Sequence, residues 1–131
     1  MGTGYGSGFK NDFWEYNPST DVWTQKADFG GGGRFGATGF SIGGKGYIGT
    51  GSAADGYKND FWEYDPATNI WTKKADLVGG ARYWATGFSI GSKGYIGTGY
   101  SYDLYNSYND FWEYDPAIDK WTKKGNLGEE G

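Results

Sequence analysis

With 131 residues, 26 of them glycine, and 21% aromatics, the chain must build its core from Trp, Tyr and Phe, because Leu, Ile, Val and Met are scarce. A formal net charge of −4, interleaved in sign and without a basic block, argues against nucleic-acid binding through phosphate neutralisation. The absence of Cys and His removes a disulfide framework, thiolate chemistry, the commonest metal ligand and the commonest general base, and no apolar run reaches membrane-spanning length.

Residues 1–28 open on Gly2-Thr3-Gly4, the end of a strand, with neither the basic nor the apolar segment of a secretory leader. An aromatic strand follows around Phe13-Trp14-Glu15-Tyr16, then a turn at Asn17-Pro18 and a strand around Trp23. This is half of a repeat. Residues 34–76 hold a whole one. Residues 34–42, small and apolar, read as strand a; 43–46 are a glycine-rich hairpin turn; 47–51 are strand b. After a loop at 52–58 come strand c at 60–64, a turn at Asp65-Pro66, and strand d at 70–74. Residues 82–124 repeat the pattern. The hexapeptide Asn-Asp-Phe-Trp-Glu-Tyr stands at 11–16, 59–64 and 109–114, a period of about 50 that marks a repeat architecture. No window shows helical periodicity.

Four short antiparallel strands per period make a twisted meander that cannot bury both faces alone. Radial stacking of such sheets is a β-propeller. Strand a, with Gly36, Ala37 and Gly39, suits the crowded axis, and strands c and d suit the wider rim. The fold class expected is all-β: four-stranded antiparallel blades, incomplete in one chain. Arg82, then Gly91-Ser92-Lys93-Gly94-Tyr95 and Gly99, then Tyr64 or Tyr114 ahead of Trp71 or Trp121, recur in order and spacing. In these residues the whole chain resembles the Kelch-repeat propellers, which include the galactose-oxidase-like ones. One departure recurs: the family's Gly-Gly after strand b is Thr50-Gly51 and Thr98-Gly99 here, with Thr3-Gly4 as the matching stub. The resemblance implies a secreted or cell-surface setting and protein or sugar ligands.

A half-blade and two full sets do not close a ring, since propellers have four to eight blades. The chain is therefore expected either to belong to a longer propeller, to pair head to tail into a filament, or to self-assemble. A homodimer forming a six-blade-like ring, with two blades short of inner strands, is the favoured expectation.

Copies differ mainly in the b–c loops, which share one face with the d–a loops, and variable loops on a rigid scaffold are the usual place for binding. Candidate ligand-binding residues there are Tyr57, Tyr100, Tyr102 and Tyr105; the competing reading packs these rings on neighbouring blades. Arg34 and Arg82, at the start of strand a, could clamp a carboxylate, or bond to loop carbonyls and stack on rings. Trp84 stands where the previous copy has Gly36 and could stack on a sugar or fill a gap. Asp12, Asp60 and Asp110 are expected to bond to the b–c loop backbone rather than hold calcium, for which the oxygens are too few. The tryptophans of strands c and d, repeated in register, read as packing between blades. Galactose-oxidase chemistry needs His, Tyr and Cys side chains, so the expectation is a protein without catalysis, metal or cofactor. It would be a scaffold or binding module completed by self-assembly, or alternatively a structural or engineered propeller fragment, or a filament subunit, with no ligand of its own.

Overall fold

The computed structural model describes residues 2–6, 8–101 and 106–126, and every regular element among them is a β-strand. The first unit contains β1 (Gly2–Tyr5), β2 (Phe9–Asn17) and β3 (Val22–Lys26). The second contains β4 (Thr38–Ile42), β5 (Lys45–Gly49), the small hairpin β6 (Ser52–Ala53) and β7 (Gly56–Tyr57), then β8 (Phe61–Asp65) and β9 (Ile70–Lys74). The third repeats it as β10 (Thr86–Ile90), β11 (Lys93–Gly97), β12 (Tyr100–Ser101), β13 (Asn106–Ser107), β14 (Phe111–Asp115) and β15 (Lys120–Lys124). The two complete blades are antiparallel sheets of order β4-β5-β8-β9 and β10-β11-β14-β15; the half-blade is β1-β2-β3. The sheets stack in a propeller-like series that does not close.

Strand a is shorter than the sequence suggests. Gly36 and its counterpart Trp84 take positive φ (69° and 58°), which ends the extended run. Upstream of that kink, Arg34 bridges back to Lys10 and Phe35 to Ser52, so the sheet begins only at Thr38. Strand b ends at Gly49 because Thr50 turns left-handed, at φ 61°. The loop after it carries the β6–β7 hairpin, which sequence pattern alone did not signal.

The c–d turn is built by its own side chains. Asp65 Oδ1 accepts the Ala67 N–H at 2.9 Å, the Asp65 carbonyl accepts the Asn69 N–H at 2.8 Å, and Asn69 adopts φ 57°. Tyr64 then donates its hydroxyl to Asn69 Oδ1 at 2.7 Å, which ties the turn to the strand. Asp115 to Asp119 repeat this geometry, with Tyr114 donating to Asp119 Oδ1.

Blades stack through rings. Phe13 of the half-blade sits 4.8 Å from Tyr64 and 5.0 Å from Trp71. Phe61 of the second blade repeats this with Tyr114 at 4.7 Å and Trp121 at 4.9 Å. Each of these tryptophans also donates its indole N–H to the previous blade: Trp71 to the Ala27 carbonyl, Trp121 to the Ala75 carbonyl, both at 3.0 Å. In return the Ala27 and Ala75 N–H groups donate to Asn69 Oδ1 and Asp119 Oδ1. The buried cluster of Tyr47, Phe61, Leu77, Ile96, Tyr114 and Trp121 lies at the junction of the two full blades. Burying one such aromatic ring contributes about 2–3 kcal/mol. Near the inner strands the blades come close enough that a Cβ on Gly87 would lie 2.8 Å from Thr38 Oγ1, so a larger residue there would have to push the Thr38 side chain aside.

Candidate functional site

The d–a loops deliver Arg34 and Arg82 to the b–c loop face, and both are fully buried, at 0% exposure. Arg34 engages all five of its N–H donors. Nη1 and Nη2 grip Asp60 Oδ1 and Oδ2 at 2.5 and 2.8 Å, and the rest donate to the carbonyls of Gly31, Gly32 and Thr50. Arg82 grips Asp110 at 2.6 and 2.8 Å and donates to the carbonyls of Gly80 and Thr98. Their guanidinium groups lie over Phe29 and Tyr108, at 4.7 and 3.8 Å from the ring centroids. Each carboxylate is further fixed by an indole, Trp62 Nε1 donating to Asp60 and Trp112 Nε1 to Asp110. Burial pushes both carboxyls up. The hydrogen bonds from arginine and tryptophan, with the arginine charge, outweigh that and hold them below the usual carboxylate value.

These arginines are staples between blades. While the Arg34 side chain grips the second blade, its backbone is held by the first: its N–H donates to the Lys10 carbonyl and its carbonyl accepts from Gly4. Arg82 joins the second and third blades in the same way through Lys58 and Gly51. The aspartates expected to bond to loop backbone instead receive these guanidinium groups and the indoles. The structure thus places Arg34 and Arg82 beneath the surface, with their donors directed inward.

The half-blade has the same carboxylate without the staple. Trp14 Nε1 donates to Asp12 Oδ2 at 2.8 Å, as Trp62 and Trp112 do to their aspartates. Thr3 adopts φ 62°, matching Thr50 at 61° and Thr98 at 62°, whose carbonyls take an arginine proton. The chain has two arginines, both engaged elsewhere. Around Asp12 opens a cleft of about 670 Å³ lined by Thr3, Gly4, Lys10, Asn11 and Asp28, among others.

At the mouth of the loop face the aromatic residues form a continuous series. Tyr57 stacks on Tyr83 at 5.2 Å with an interplanar angle of 8°, and Tyr83 meets Trp84 at 4.5 Å and Tyr100 at 6.1 Å. Phe35 joins Tyr83 to Phe9 and Tyr5. Of the sequence-derived candidates, Tyr57, Tyr100 and Trp84 are therefore brought together here, whereas Tyr102 and Tyr105 lie outside the described residues. Trp84 is 65% exposed. Its ring lies over Gly36, where a Cβ would come within 3.1 Å of it, and the Trp84 backbone N–H donates to the Gly36 carbonyl. A tryptophan held at φ 58° carries a backbone cost of about 1–3 kcal/mol that a glycine there would not.

On the rim, Glu63 accepts the Tyr47 hydroxyl at 2.8 Å and pairs at longer range with Lys45 and Lys74. Glu113 accepts from Tyr95 and pairs with Lys124. Burial, and then Glu63, push the Tyr47 phenol well above its ordinary value. Among the described residues no group of three or more acidic side chains is placed to hold a metal ion.

The sequence matches no family model and no curated protein sequence. Its fold is matched among solved structures: the structure of YjhT superposes with a TM-score of 0.78 at 21% identity, over 94% of this chain and 47% of that one. The present chain thus spans about half the length of the chain it resembles, and the likeness establishes the fold.

Proposed function

We propose that this chain is a non-catalytic Kelch-type propeller scaffold that completes its ring by pairing head to tail with a second copy. One observation carries the reading. The interface that joins blade to blade inside the chain occurs twice, and its two halves are left uncovered at opposite ends. At the leading end, Tyr16 and Trp23 form the same tilted pair as Tyr64 with Trp71 and Tyr114 with Trp121, with centroids 4.9 to 5.0 Å apart. Yet Trp23 is 48% exposed where Trp121 is 6%. At the trailing end, Phe111 and Tyr95 stack at 5.3 Å, as Phe61 and Tyr47 do at 5.6 Å, with no blade against them among the described residues. Phe111 of one copy fits against Tyr16 and Trp23 of the next, with the Trp23 indole N–H directed to the Gly125 carbonyl. The coverage of 47% of the YjhT chain agrees with two copies making one full-sized fold.

Sedimentation velocity tests this. The wild-type chain should run as a dimer and Trp23→Ala as a monomer. An open-ended series of masses would favour the filament alternative, and a wild-type monomer at tens of micromolar would refute pairing altogether.

A second reading, compatible with the first, makes the Trp84–Tyr83–Tyr57 series a platform for a protein or glycan ligand. It is supported by the strained, exposed placement of Trp84, since strain of this kind clusters at functional sites.

A further inference from the structure

We infer that the cleft between the half-blade and the second blade binds a small monocyclic aromatic molecule. Its ring takes the place that the Phe40 side chain holds at the next junction. The cleft lies within one chain, so the inference does not rest on head-to-tail pairing.

The two junctions between blades are built from the same residues in register. Phe13 of the half-blade recurs as Phe61, and Trp71 of the following blade as Trp121. Gly39, Gly46 and Ile48 of the second blade recur as Gly87, Gly94 and Ile96 of the third. At the second junction these residues surround an aromatic ring. Phe40 lies so close over Gly94 that a Cβ there has no room. It stacks on Tyr47 and tilts against Phe61, each at 5.6 Å between centroids. The cluster it packs against includes the completely buried Ile96.

At the first junction the same walls enclose open space. Phe40 belongs to β4, and the half-blade sheet, β1-β2-β3, has no counterpart of that strand among the described residues. What remains is a cleft of about 210 Å³ lined by Phe13, Gly39, Gly46, Ile48 and Trp71, among others. A Cβ on Gly46 would find its nearest neighbour, Tyr64 Cβ, only 3.9 Å away, where Gly94 meets the Phe40 ring. Ile48 is half-buried where Ile96 is sealed.

The lining defines the ligand. No charged side chain borders the cleft. Its two side-chain donors are already engaged, the Trp71 indole with the Ala27 carbonyl and the Tyr47 hydroxyl with Glu63. A sugar or an ion would therefore lose its hydration without a side-chain partner in return. An uncharged ring loses nothing of the kind, and an apolar cavity of about 150 Å³ is enough to take benzene. Bare backbone at Gly39 and Gly46, facing the Phe13 ring, suits a flat ring, as the stacking of Phe40 shows at the next junction. A polar substituent would leave through the open side of the cleft.

The test is fluorine NMR titration of 4-fluorobenzyl alcohol into the full chain, on wild type and on Trp23→Ala. Both should show one saturable site per chain in the millimolar range. Gly46→Leu, whose side chain enters the cleft, should weaken binding about tenfold or more without lowering the melting temperature. Gly46→Ala, for whose methyl there is room, should weaken it in the same direction. Cyclohexylmethanol should displace the probe about tenfold less well than benzyl alcohol. Absence of saturation up to the solubility of the probe, or binding unchanged in both Gly46 variants, would overturn the site. Equal displacement by the two alcohols would overturn the aromatic class. Binding that appears only in Phe88→Ala would assign the cleft to the Phe88 ring of a second copy, 40% exposed in this chain, and overturn the small-molecule reading.

Discussion

The half-blade and the second blade carry the same hexapeptide and nearly the same turn, yet identical residues lead different lives in them. Asp60 lies under a bidentate arginine; Asp12 faces an open cleft. Tyr64 is 5% exposed, whereas Tyr16 is 42% exposed. Nothing local separates the members of each pair, because the backbone angles, the indole bond and the ring geometry all recur. What differs is the neighbour. In a stacked repeat protein a residue's energetic role is assigned by the adjacent unit, and the terminal units show what that unit contributes.

The comparison should break most visibly at the staple. Arg82→Met would leave Asp110 buried and unpaired, and should cost about 3–5 kcal/mol in chemical denaturation. Asp12→Asn, at the matching place in the half-blade, should stay within about 0.5 kcal/mol of wild type. Equal effects would mean that the arginine pairs do not brace the blades.

Acid sharpens the same contrast. Asp60 and Asp110 have folded-state pKa values below those of an unfolded chain, which lie near about 3.9. Their contribution is therefore complete above that value and is lost as pH falls through the lower folded values. The denaturation midpoint should drop steeply below about pH 4 in wild type and less steeply in Asp110→Asn. A parallel decline in both would contradict this assignment.

The smallest effect concerns Trp84 and its counterpart Gly36. Trp84→Gly should be neutral or stabilising by up to about 1 kcal/mol, because it relieves a positive φ. A large loss of stability would instead show that the ring is needed for packing.

The repeat made most of the fold legible. Its period, turn residues and alternating strands placed the sheets, and β9 (Ile70–Lys74) falls where the sequence puts strand d. The staples were harder to read because Arg34 and Asp60 meet only after strands a and b have run out and back between them. A usable signal was present: arginine and aspartate recur in register in both full repeats, and the half-repeat has the aspartate alone. The shortening of strand a was hidden for another reason. Glycine at position 36 allows a kink without requiring one, and its tryptophan counterpart gives no hint of positive φ. At the mouth, Trp84 stood out as the odd member of its column, but the series linking it to Tyr83 and Tyr57 depends on the β6–β7 hairpin.

Head-to-tail pairing is tested most directly by crosslinking, which the cysteine-free sequence makes clean. Inside the chain, the Ala75 N–H donates to Asp119 Oδ1 across the blade junction; Gly125 and Asp21 hold the matching positions at the two ends. Chains carrying Asp21→Cys and chains carrying Gly125→Cys are mixed and treated with a short bismaleimide. The predicted product is a covalent dimer linking position 21 to position 125. Products joining like positions, or no dimer at all, would contradict the account.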